Sequence, residues 1–130
     1  MADESYPLDL KYFKEHDWVR LEGEEAVFGI TWFAQDALGE IVYADVAGVG
    51  DTVVAGATYG QLESVKAVTD VFAPLTGEVV GANALLQEEP QLVNSDSYGQ
   101  GWLIRVRMTA QQQLDELMDA GDYQQFLRET

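Results

Sequence analysis

The chain has no cysteine, one histidine and three prolines. Without cysteine there is no disulfide framework, no thiolate nucleophile and no thiolate-bound metal. Zinc sites draw on several cysteine or histidine ligands, so His16 beside scattered carboxylates makes a poor metal case, and Glu22, Glu24 and Glu25 read as a solvated turn. Basic residues are scarce too: seven Lys and Arg stand against 23 Asp and Glu, for a net charge of -16. A surface of that sign repels phosphate backbones and anionic leaflets, which disfavours nucleic acid and membranes as partners. It favours solubility, and encounters with positively charged protein surfaces that added salt slows. No apolar run approaches membrane-spanning length. The start, Met1 to Ser5, is acidic and lacks both an apolar signal core and an Arg-rich transit pattern. The expected location is therefore cytoplasmic, or organellar if a presequence has been removed.

What is present suffices for one folded domain spanning residues 1–130: 47% of the residues are hydrophobic, with fourteen aromatics that include Trp18, Trp32 and Trp102. Short apolar segments recur with Gly between them, the pattern of many short strands. Trp18 to Leu21 and Ala26 to Ile30 flank a Gly-containing polar break and predict a hairpin. Further strands are predicted over Glu40 to Val46, Thr58 to Ser64, Val68 to Ala73, Gly77 to Asn83 and Trp102 to Met108. Thr31 is suited to cap a short helix ending near Gly39, and Pro90 to open a brief one running to Asn94. A C-terminal helical segment is predicted over about 109–128. There Thr109 and Gln112 have capping-box spacing, Leu114, Leu117 and Met118 share a face, Gly121 ends the first helix, and Tyr123, Phe126 and Leu127 add a last turn or two. The fold class is mainly β: two small antiparallel sheets folded face to face, or a flattened barrel, with short peripheral helices.

Of the three lysines, Lys11 and Lys14 lie together near the N-terminus and Lys66 stands apart. Lys66 falls where two strand-like runs meet, so a tight hairpin would hold its amine in water. Position alone leaves two readings open, a merely solvated side chain or a presented nucleophile.

The segment Glu63-Ser64-Val65-Lys66-Ala67 resembles the lipoylation segment of glycine cleavage H proteins. Other stretches follow the same family's pattern in order: His16-Asp17-Trp18-Val19, Gly29-Ile30-Thr31, Ala34-Gln35, Leu38 to Tyr43, Pro74 to Val79, Pro90 to Asn94 and Gly101-Trp102-Leu103. The resemblance runs from about Leu10 to Val106, and the joint order and spacing make it specific.

It implies a lipoyl/biotinyl-like barrel-sandwich and lipoate joined by an amide to Lys66, so that a cofactor brings sulfur chemistry to a chain with no thiol of its own. It implies a carrier that is not itself an enzyme. Such a carrier takes an aminomethyl group from the pyridoxal-phosphate glycine decarboxylase (P protein) and delivers it to the tetrahydrofolate-dependent aminomethyltransferase (T protein). Dihydrolipoyl dehydrogenase (L protein) then reoxidises it, and a lipoate ligase or lipoyltransferase loads the arm. By the same resemblance Asp70 and Asp17 are candidates for polar contact with a cationic aminomethyl arm.

The chain departs from the family at Trp32-Phe33, where an acidic residue followed by His or Tyr is common, so a polar contact from position 33 does not carry over. Val46-Ala47-Gly48 replaces Leu-Pro-Glu, and Asp17 replaces Glu. Other carriers remain open as readings: an H-like relay that donates lipoyl groups to other enzymes, a biotinyl domain, or the lipoyl domain of a 2-oxo-acid dehydrogenase. Biotinyl domains usually set the lysine between methionines, and here Val65 and Ala67 flank it. A small enzyme using His16 and Asp17 as an acid–base pair is disfavoured, because neighbours on a strand point to opposite faces.

Overall fold

The computed structural model describes residues 5–129; of the acidic start, Met1 to Glu4 lie outside the described residues, as does Thr130. Among the described residues nine strands form two antiparallel sheets that face each other without closing into a barrel. The larger sheet contains β1 (Lys11–Tyr12), β2 (Asp17–Glu22), β3 (Glu25–Ile30), β5 (Thr52–Val53), β8 (Gly77–Ala82) and β9 (Ile104–Met108), in the order β1-β2-β3-β9-β8-β5. The smaller one contains β4 (Ile41–Val46), β6 (Thr58–Ser64) and β7 (Val68–Phe72), in the order β4-β6-β7. Among the described residues no helix is long and apolar enough to cross a membrane.

Alternation along the strands decides which side chains meet. Val19 and Phe28 point between the sheets and join a core with Ile41, Leu62, Leu75 and Val106. Their neighbours Trp18 and Val27 point to the other face of the larger sheet. There they form a second core with Leu10, Tyr12, Ala120 and Tyr123. The larger sheet is thus buried on both faces at β3, which explains why Ala26 to Ile30 reads as an unbroken apolar run. Gly29 sits opposite Trp18 because a Cβ there would collide with the indole ring. The predicted β2–β3 hairpin is present, turning at Gly23 with φ 67°.

Helix α1 (Trp32–Leu38) starts and stops where expected: Thr31 Oγ1 accepts from the Ala34 N–H at 3.3 Å, and Gly39 closes the helix at φ 81°. Helix α2 (Leu92–Ser95) follows Pro90. The short strands β1 and β5 and a 3₁₀ turn at Ala84–Gln87 are additions that two- to four-residue signals do not announce.

The C-terminal segment corrects the expectation. A 3₁₀ stretch over Gln111–Glu116 replaces the first helix, and helix α3 spans Ala120–Arg128. Thr109 does not cap; its hydroxyl lies 3.5 Å from the Thr76 carbonyl. It is Gln113, not Gln112, that makes the decisive bonds, accepting from Thr76 N–H at 2.7 Å and donating to Thr76 Oγ1 at 3.1 Å. The helix breaks because Met118 runs extended and exchanges two 2.8 Å backbone bonds with Tyr12. Gly121 then ends nothing: it lies in the first turn of α3, which Asp119 caps by accepting from the Asp122 N–H at 2.8 Å. Leu114 and Leu117 pack on the core between the sheets, while Met118, Phe126 and Leu127 pack on the second core.

Candidate functional site

Strands β6 and β7 pair up to Glu63 opposite Val68, leaving Ser64-Val65-Lys66-Ala67 to turn the chain. Ser64 is the clasp. Its backbone N–H donates to Ala67 O at 2.7 Å, and its buried hydroxyl accepts from the Lys66 and Ala67 N–H groups at 3.3 and 3.1 Å and donates to Ala67 O at 3.3 Å. A hydroxyl engaged this way holds a tight turn without any large side chain. The Val65 N–H reaches across to Glu40 O at 3.1 Å, tying the tip to the start of β4.

Above the clasp, Val65, Lys66 and Ala67 are exposed. The Lys66 stem passes over Gly39: a Cβ placed there would lie 3.5 Å from Lys66 Cε and 3.9 Å from Nζ. Exposed Val42 and Tyr43 on β4, Val68 on β7 and Val65 at the tip give an apolar surface beside the amine. Beneath it, buried Ile41, Leu62 and Val71 anchor all three strands of the smaller sheet in the core. The amine is exposed on a base that is buried.

Asn94 braces this base, a role that its position near the end of a brief predicted helix does not reveal. Its amide nitrogen donates to Gly39 O at 2.8 Å and Gln35 Oε1 at 3.1 Å, and its oxygen accepts from the Ile41 N–H at 2.8 Å. One carboxamide therefore joins the end of α1, the start of β4 and α2 immediately behind the Lys66 hairpin.

The two aspartates part company. Asp70 is exposed on β7, accepts from Gln61 Nε2 at 3.1 Å, and lines a small cleft that also contains Glu15, His16 and Phe33. Asp17 is only 1% exposed, and its Oδ2 accepts from the Tyr59 hydroxyl at 2.7 Å while Oδ1 has no partner. Burial pushes the Asp17 carboxyl well above its ordinary value, partly offset by the Tyr59 hydrogen bond. Asp70 thus shares the surface near the hairpin with Glu63, Val65, Lys66 and Ala67, with Ser64 beneath it, whereas Asp17 is an internal group. Glu15, which the sequence reading passed over, is the second carboxylate of the cleft.

His16 takes φ 76°, uncommon for a residue with a side chain, and its ring packs near Phe33, Tyr123 and Phe126. Its Nδ1 lies 2.8 Å from the Tyr123 hydroxyl, and burial lowers its pKa. The Tyr123 hydroxyl also lies 2.8 Å from Thr31 Oγ1. His16 and Asp17 therefore bond to different tyrosines and do not converge as an acid–base pair.

The family model for glycine cleavage H-proteins matches residues 10–130. The chain belongs to that family. It is 48% identical over 123 residues to a glycine cleavage system H protein of Carboxydothermus hydrogenoformans, covering 95% of each chain. It is 44% identical to one of Symbiobacterium thermophilum, covering 95% of this chain and 96% of the relative. The solved structure of such a protein from Mycobacterium marinum superposes with a TM-score of 0.82 at 36% identity, over 90% of this chain and 94% of that one. The family's fold and this chain's two-sheet architecture therefore agree.

Proposed function

We propose that Lys66 takes lipoate in amide linkage and that the chain serves glycine cleavage as a shuttle, not as a catalyst. The observation that supports this best is an exposed lysine at the tip of a clasped hairpin, in a chain of this family, with its stem resting on a glycine. A loading enzyme needs to approach one amine from the solvent side and find it in a fixed place; the Ser64 clasp meets the second need and the exposed Val65 and Ala67 the first. When attached, the lipoyl group supplies thiol–disulfide chemistry that no side chain of this chain offers.

The residues themselves position and present. Ser64 and Asn94 hold the attachment point, and Val42, Tyr43, Val65 and Val68 offer an apolar rim for a partner's active-site mouth. Asp70 and Glu15 supply negative charge close to the arm, suited to a cationic aminomethyl load. Asp17, buried and bonded to Tyr59, does not reach the arm's surface. The partners in this reading are the pyridoxal-phosphate glycine decarboxylase, the tetrahydrofolate-dependent aminomethyltransferase, dihydrolipoyl dehydrogenase, and a lipoate ligase or lipoyltransferase. The net charge of -16 suits positively charged docking faces on them.

Incubation with lipoate ligase, lipoate and ATP, followed by peptide mass spectrometry, tests the assignment. A lipoyl mass on Lys66 alone is expected, and none on the Lys66→Arg variant. Label spread over Lys11, Lys14 and Lys66, or no label, overturns it.

A further inference from the structure

Helix α1 divides two clefts, and Lys66 stands at its C-terminal end. On one side Phe33, Ala37 and Leu38 face Asp70 and Glu15 across a cleft of about 230 Å³. On the other, Trp32, Gln35 and Gly39 face Gln91, Asn94 and Ser95 across a groove of about 590 Å³. Only the second falls within the ~300–1,000 Å³ of small-molecule sites. Successive residues of a helix point ~100° apart, so the adjacent Trp32 and Phe33 give one aromatic wall to each cleft. The pair that departs from the family pattern thus lines both sides of the helix.

Gly39 connects the groove to the lysine. It forms part of the groove's wall, and the Lys66 stem crosses it close enough that a Cβ there would touch Cε. Asn94, with both amide protons and its oxygen engaged, acts as a strut that sets the distance between α1 and α2. Both clefts carry exposed carboxylates, Glu15 and Asp70 in one and Asp36 and Glu40 in the other, so charge does not choose between them. Room and wall do.

Resting on the reading that Lys66 bears a lipoyl arm, we propose that the Trp32 groove between α1 and α2 is a berth for that arm, with the dithiolane ring against the indole. The acyl chain buries methylenes along the Gln35 and Gly39 wall, and the ring's sulfurs gain aromatic contact of the kind that thioethers make. Rotation about the Lys66 stem carries the arm from this groove to the Asp70 cleft, while α1 stays in place. The berth shelters the ring from water between encounters and leaves the hairpin tip free for docking.

The test is nitrogen–proton NMR of the full chain before and after enzymatic lipoylation, with the extent of modification read by mass spectrometry. The Trp32 indole, assigned with Trp32→Phe, and the Gln91 and Ser95 amides are expected to shift on lipoylation, while the Trp18 and Trp102 indoles stay put. Ser95→Phe, which fills the groove from an exposed position, is expected to abolish the lipoyl-dependent shift of Trp32 without reducing the lipoyl mass. Complete modification with Trp32, Gln91 and Ser95 unmoved, or with shifts confined to Phe33, Ala37 and Asp70, overturns the berth and leaves the carrier reading standing. A chain that takes no lipoyl mass overturns the carrier reading and the berth with it.

Discussion

The Lys66 hairpin and the aromatic cluster beneath α3 lie in one small molecule yet are held by opposite means. At the hairpin, a serine hydroxyl bonded to two neighbouring residues, Lys66 and Ala67, closes the turn through bonds two or three residues long. In the cluster, groups far apart in sequence meet: Tyr12 and Tyr123 stack at 4.9 Å, Trp18 Nε1–H donates to Ser97 O at 2.9 Å, and Tyr123 bonds to His16 and Thr31. The first arrangement exposes its apolar residues, the second buries them. A presented group can be changed with little effect on the fold, whereas a long-range aromatic junction is the fold. On the proposed reading, stability and function reside in different regions of this chain, and substitutions measure how cleanly they separate.

The largest effect is expected from Trp18→Ala. It empties a fully buried site packed on Gly29 and Tyr98 and removes the donor to Ser97, at a cost of about 3–5 kcal/mol. Urea unfolding followed by circular dichroism measures it; a loss below about 1 kcal/mol would mean the second core matters less than its burial implies. Tyr123→Phe keeps the ring stack and deletes the hydroxyl shared by His16 and Thr31, with an expected cost of about 1–2 kcal/mol in the same assay.

Asp17→Asn sharpens the comparison through pH. Because the folded state holds the Asp17 proton to higher pH than the unfolded chain, this group's contribution is full below the ordinary carboxylate range and declines as pH rises through the raised folded value. The neutral amide has no such decline. Between about pH 4 and 7 the variant should therefore gain stability relative to the parent as pH rises, read from thermal midpoints at each pH. A difference that does not change with pH would show that Asp17 is already charged inside the fold. The smallest effect is expected from Lys66→Arg, which abolishes lipoylation yet moves unfolding by no more than about 0.5 kcal/mol, since its side chain is exposed. A larger loss would mean that the hairpin tip is part of the structural frame.

Much of this was legible in the chain. The strands over 58–64 and 68–73, the turn holding Lys66 and the Thr31 and Gly39 signals of α1 are local patterns, and local patterns are readable where neighbouring residues satisfy one another. The failures share a cause. Thr109 and Gln112 have capping-box spacing, but Gln113 is drawn to Thr76, 37 residues away, and Met118 to Tyr12. Asp17 reads as a candidate for contact with the arm until Tyr59 arrives from another sheet to bond it inside the fold. Glu15 and Asn94 carry no local signal, because their roles exist only once α1, α2 and β7 are assembled.

By itself, the sequence determined that the chain is an acidic, thiol-free β protein with one isolated lysine at a turn, since charge, composition and strand period need no tertiary partner. Only the tertiary structure decided which carboxylate is internal, which asparagine braces the hairpin, and that α1 leaves a groove on each side. Those outcomes depend on contacts between residues far apart in the chain, and no short-range pattern encodes such a contact.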